Sequence, residues 1–310
     1  MITTIFSKTR PFNYILIAVL LVLSFILYGI DQDLFSDINK ILVAAACFLL
    51  FCTAILVASF IGIKNSLTKN NTYTILFCFL FAIMFPQIFN NLSLVFANLL
   101  ILLALRRLVA VQSLQNIKQK IFDASMLIFL AALFEFWTIV FIFLVFVIIL
   151  FYAARDYRNW IIPMIALAAT VILFVFFSLQ FDKLLLHNFI EKHHIDTNLN
   201  YFSNTFQNVS FSFYCTISIL FVTNSILTYS KKPLTHQALF RFIILVFIIG
   251  MLIFVISPEK NNSFLIFTFA PLAIMASNFF ENIEIHWVAE TSAILIAILA
   301  ITCFFGQLFG

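Results

Sequence analysis

The sequence predicts an all-α protein, a polytopic bundle of about eleven transmembrane helices. Three observations carry that expectation. Of the 310 residues, 64% are hydrophobic. Only 10% are charged, against about 25% in a soluble domain. Mean hydropathy is +1.13, and apolar runs long enough for a bilayer, roughly 20 residues each, recur along the whole chain. One soluble core of this length could not hide so much apolar surface, which excludes a soluble enzyme. The same hydrophobicity excludes a disordered chain. Membrane lipid is the expected partner, and nucleic acid is not.

The apolar runs fall at 13–30, 40–63, 72–89, 92–109, 121–134, 136–153, 160–180, 210–229, 239–256, 263–279 and 287–308. The first is read as a span rather than a cleaved signal peptide. It is too long, lacks a small-residue cleavage site and is followed by ten more runs. The stretch 121–153 exceeds one span. It divides at Phe134-Glu135-Phe136-Trp137, where a charge among aromatics suits a tight interfacial turn. No internal repeat or linker interrupts the chain, so 1–310 reads as a single membrane domain.

Charge sets the expected orientation. With a cytoplasmic N-terminus in the inner membrane, the inner segments hold Lys8, Arg10, Lys64, Lys69, Arg106, Arg107, Lys118, Lys120, Arg155, Arg158, Lys231, Lys232 and Arg241. Asp31, Asp33, Asp37, Glu135, Asp182, Glu191, Asp196 and Glu259 fall outside. The last inner loop, around Glu281, Glu284, His286 and Glu290, is the exception, being acidic. The inner basic residues read as topology signals and headgroup contacts. Five cysteines lie in apolar runs without a CxxC pair, as small hydrophobes rather than a disulfide or zinc framework.

Ionisable groups are scarce within the spans, and paired Gly/Pro breaks are not visible. Both features disfavour an ion-coupled transporter. Polar residues gather instead on the expected outer face. Asp31-Gln32-Asp33 follows the first span. If extended, it sets two carboxylates about 6–7 Å apart. Such a pair can hold a divalent cation or act as a base beside a hydroxyl. The alternative is an acidic outer loop that helps orientation or simply solvates a turn. The outer loop 181–209 begins with a stretch whose apolar spacing suits an amphipathic surface helix. It carries Lys183, His187, Glu191, Lys192, His193, His194 and Asp196. Lys183, His187, Lys192, His193 and His194 are candidates for binding a lipid-linked phosphate, and a solvated amphipathic loop is the alternative. Tyr28, Trp137, Tyr201 and Tyr214 read as interfacial belt residues.

The opening Met1-Ile-Thr-Thr-Ile-Phe-Ser-Lys-Thr-Arg-Pro-Phe-Asn-Tyr-Ile-Leu, with its Phe/Ile/Asn/Lys bias, resembles an uncharacterised family of multi-pass inner-membrane proteins from Bacteroidota. The architecture also resembles the GT-C class of integral-membrane glycosyltransferases. Asp31 and Asp33 stand at that class's acidic loop after helix 1, and 181–209 at its longer outer loop. Residues 1–210 then form the GT-C-like module and 211–310 the C-terminal helices. The chain is short for the class and lacks the soluble outer domain of many members. The resemblance implies sugar transfer from a polyprenyl-phosphate donor to an outer-face acceptor. Asp31 or Asp33 would serve as base or as ligand to a divalent cation, with the loop cations on the donor phosphate. The rival expectation is a non-catalytic scaffold or a subunit of an envelope complex with a protein partner. A lipid or small-molecule transporter is the third.

Overall fold

The computed structural model describes residues 2–181, 205–257 and 261–309. Among these the chain is helical, with no strand. Its α-helices are α1 (Ile2–Phe6), α2 (Pro11–Asp31), α3 (Ile38–Lys64), α4 (Tyr73–Met84), α5 (Leu92–Val109) and α6 (Ile117–Phe134). They continue as α7 (Ile142–Ile148), α8 (Arg158–Phe181), α9 (Thr205–Thr228), α10 (Leu234–Ile256), α11 (Ile266–Asn282) and α12 (His286–Phe309). Nine segments among the described residues are long and apolar enough to cross a membrane. The chain is a multi-pass helical membrane protein.

Two expected runs are not continuous helices. Run 72–89 contains α4, of 12 residues, about 18 Å of helix against roughly 30 Å of hydrocarbon. The helix stops at Phe85 (φ −136°, ψ 67°), because the ring of Pro86 disfavours helical backbone just before it. A 3-10 turn over Pro86–Asn90 follows. Phe85, Pro86, Ile88 and Phe89 are buried, so most of the irregular backbone meets protein rather than lipid, the condition under which a membrane tolerates it. Run 136–153 is a 3-10 turn (Phe136–Phe141), α7 and a π turn (Ile149–Ala153). The expectation of unbroken spans is corrected at both places. The division at Glu135 is present. Its backbone is extended, and Thr138 Oγ1 donates to its carbonyl at 2.8 Å.

The core forms around α4 and α11. The span containing α11 is 94% buried, and α11 packs on α3, α4, α5, α9 and α10. A helix apolar on every side belongs in such a place. Phenylalanine fills the joint. Phe77, Phe81 and Phe85 recur every fourth residue, and so share one face of the chain. Phe77 stacks on Phe280 at 5.0 Å between ring centres and meets Phe221 at 5.7 Å. Phe81 and Phe85 each meet Tyr214 edge-on at 5.3 Å. The Tyr214 hydroxyl pairs with Thr268 at 2.6 Å. Tyr214 and Tyr28 are buried, so neither is a belt residue. Tyr28 instead accepts a hydrogen bond from Asn90 Nδ2 at 2.8 Å. Tyr201 lies outside the described residues.

Hydrogen bonds tie the helices into two ends. At the end where the chain begins, the Thr72 hydroxyl donates to the Phe6 carbonyl and the Tyr73 hydroxyl to the Thr3 carbonyl. Glu290 accepts from the backbone N–H and hydroxyl of Thr3. Glu281 accepts from the Lys69 N–H, Asn71 Nδ2 and the Ser277 hydroxyl. The acidic last loop, anomalous as a topology signal, thus supplies acceptors for α1 and the α3–α4 loop. At the opposite end, Ser93 donates to Glu135, and Gln307 Nε2 donates to the Met84 carbonyl and Ser210.

Candidate functional site

The far end of α2 carries the expected carboxylates. Asp31 is the last residue of α2 and Asp33 lies in the following turn; both are exposed. The extended Asp-x-Asp geometry is replaced by a reversal. Gln32 N–H donates to the Tyr28 carbonyl, Leu34 N–H to the Gly29 carbonyl, and Asp33 has φ 49°. Aspartate is among the few non-glycine residues that tolerate this left-handed backbone. Gly29 makes room for the reversal, since a Cβ there would lie 2.5 Å from the Phe35 ring. Phe35 also meets Phe25 edge-on at 6.2 Å. The aromatic contact pins the turn that carries Asp33 against α2.

Asp31 accepts a hydrogen bond from Gln32 Nε2 at 2.8 Å. No group of three or more His, Cys, Asp or Glu side chains is placed to hold a metal ion among the described residues. Asp31 and Asp33 would supply two oxygen donors. Lys183, His187, Glu191, Lys192, His193, His194 and Asp196, the expected phosphate-binding cluster, lie outside the described residues.

Below Asp31 runs a groove that no charged or polar motif announces. α2 and α12 both pack on α4 and leave about 410 Å³ between them. Its floor is Leu76, Phe79, Leu80 and Ile83 of α4, and its near end is closed by Ile5 and Phe6. Ala293 and Ala297 keep the α12 wall low. Apart from Ser24 the lining is apolar. Leu20, Leu23, Leu27, Ile301 and Phe305 are all partly open on the outer surface of the bundle, so the groove faces where lipid would lie. The α2 wall is Leu16, Leu20, Leu23 and Leu27. That stripe follows helical spacing, and its next member is Asp31, one turn on, about 6 Å along the axis. The groove is about 17 Å long along α2, and its volume falls within the usual range of roughly 300–1,000 Å³ for small-molecule sites. Sequence reasoning missed it because a leucine stripe at this spacing is also what an ordinary lipid-facing helix shows.

No curated protein and no solved structure matches the chain. Over residues 1–309 the chain matches a protein family described as a family of unknown function, DUF6427, and it belongs to that family.

Proposed function

We propose that this protein is a glycosyltransferase-like enzyme of the membrane, acting on a polyprenyl-phosphate sugar at the outer face of the inner membrane. The observation that carries this reading is the α2 stripe, which lines an apolar lateral groove and ends at Asp31. An isoprenoid tail in the groove would set its phosphate-sugar head beside the turn of Asp31 and Asp33. A carboxylate there can take the proton of an acceptor hydroxyl or hold a divalent cation on the donor phosphate. The cations of 181–209 would meet the phosphate. The reading uses eleven spans and a cytoplasmic N-terminus, which agrees with the basic residues gathered at the end where the chain begins. The two spans beyond the nine longest apolar segments are α4 with its 3-10 turn and α6, which carries Lys118, Lys120 and Asp123.

The test uses purified protein in lipid nanodiscs, with a labelled polyprenyl-phosphate sugar and an envelope acceptor fraction. Asp31→Asn with Asp33→Asn is expected to lower transfer at least a hundredfold, in line with removal of a general base, without changing Tm. Leu23→Trp, which fills the groove, is expected to raise the donor KM and leave the carboxylates intact. Full transfer in the double Asp variant would sink the assignment.

The exposure of both carboxylates favours one rival, a scaffold or subunit of an envelope complex. Its contact surface would be the broad apolar face of α8, where Ile161, Ile165, Ile172 and Phe176 are exposed. A stoichiometric protein partner, recovered equally with both Asp variants, would select that reading.

A further inference from the structure

At the end where the chain begins, a second cavity of about 450 Å³ opens between the ends of α3 and α5 and the start of α6. Four basic side chains line it: Lys64, Arg106, Arg107 and Lys120. Three of them are held there by contacts other than neutralisation. Lys64 Nζ lies 5.0 Å and Arg106 Cζ 4.8 Å from the centre of the Phe60 ring. Lys120 Nζ donates to the Ala110 carbonyl at 2.8 Å and to Ser113 Oγ at 2.7 Å. Arg107 pairs with Asp123 at 3.3 Å, and no other carboxylate pairs with the four among the described residues. The carbonyl ends of α3 and α5 contribute roughly half a negative charge each. Together with Asp123, and with the positive N-terminal end of α6 counted against them, they offset less than half of the four positive charges and leave the cavity cationic.

The cavity continues a lipid-facing surface. On α3, Leu49, Thr53, Leu56 and Phe60 are exposed at helical spacing, and Lys64 is the next residue of that stripe. An acyl chain laid along the stripe brings its headgroup to Lys64 and Arg106. We propose that this cavity binds a phosphate group, and that the group belongs to an anionic membrane lipid. Arginine suits this role because its planar fork matches phosphate oxygens, and basic pockets between membrane helices are suited to anionic lipid headgroups. This site is at the opposite end from Asp31 and does not depend on the sugar-transfer reading.

The experiment measures Tm of the full-length protein in nanodiscs of a zwitterionic lipid alone, of that lipid with phosphatidylglycerol, and of the zwitterionic lipid with added inorganic pyrophosphate. Three proteins are compared: wild type, Lys64→Gln with Arg106→Gln, and Lys8→Gln with Arg10→Gln. The last pair removes two charges from the same end but outside the cavity. Phosphatidylglycerol is expected to raise Tm in the wild type and the control. Titration should show apparent affinity about thirtyfold weaker in the Lys64/Arg106 variant, for two basic groups lost. Stabilisation by pyrophosphate alone, lost in that variant, would keep the phosphate site and overturn the lipid as its source. No shift in the wild type, or equal losses in the cavity and control variants, would overturn the site itself.

Discussion

Glu281 shows how one side chain secures a connection far away in sequence. Its carboxylate gathers the Lys69 N–H, Asn71 Nδ2 and the Ser277 hydroxyl, and so joins the end of α11 to the α3–α4 loop. Hydrogen bonds to a charged group contribute about 1.5–3 kcal/mol each, and unpaired donors left behind add a cost. Glu281→Ala is therefore expected to destabilise the protein by about 2–4 kcal/mol, read as a fall in Tm in detergent. An unchanged Tm would show that water replaces the carboxylate at no cost. Asp156 provides a pH-dependent contact at the same end. The Arg158 N–H, followed by the Lys118 ammonium at 3.2 Å, holds its carboxyl below the ordinary value of 3.8. The resulting stabilisation is present above 3.8 and disappears as pH falls through the depressed range. The Tm difference between wild type and Asp156→Asn should close on acidification and persist at neutral pH. Neither role was legible beforehand. A carboxylate in a loop reads as a topology signal until the segment packed against it is known.

Among the elements, α10 and α11 are in tight contact at Gly250. A Cβ there would lie 2.8 Å from Thr268 Cγ2 and 3.2 Å from the backbone carbonyl of Phe267. Backbone cannot rotate aside as a side chain can, so Gly250→Ala should push the helices apart and cost about 1–3 kcal/mol. Small residues at such crossings are how membrane helices gain packing contact. Between α9 and α11, Tyr214→Phe removes the pairing with Thr268 while keeping the ring. Hydrogen bonds between membrane helices average about 0.6 kcal/mol, so this variant should lose less than Gly250→Ala does. The reverse order would make the α9–α11 hydroxyl pair a stronger tie than the close packing of α10 on α11. The run 72–89 was visible in the sequence as apolar, and Pro86 marked its break. Its burial on every side was not visible, since a lipid-facing helix can be equally apolar.

For the whole molecule, alternation of the two ends makes a prediction about sidedness. Ser36 follows α2 at the far end, and Gln115 lies between α5 and α6 at the other. With a cytoplasmic N-terminus, Ser36→Cys should react with a membrane-impermeant maleimide in spheroplasts and Gln115→Cys only after permeabilisation. The reversed pattern would invert the proposed orientation and move Asp31 to the cytoplasm. The five native cysteines are buried or half-buried, so they give a low background.

By itself the sequence determined the class of the protein, the positions of its apolar runs and the separation of basic from acidic loops. Each of these depends on the local content of a segment, because length and hydropathy decide whether it suits a bilayer. Only the tertiary structure decided which runs lie inside, with α4 and α11 central and α8 outermost. It alone showed the groove below Asp31, the donors gathered by Glu281 and Glu290, and the convergence of Lys64 with Arg106 on one ring. The physical reason is common to all of these. Lipid tails and a packed protein interior are nearly equally apolar, so hydrophobicity places a helix in the membrane without saying which of its faces meets protein and which meets lipid.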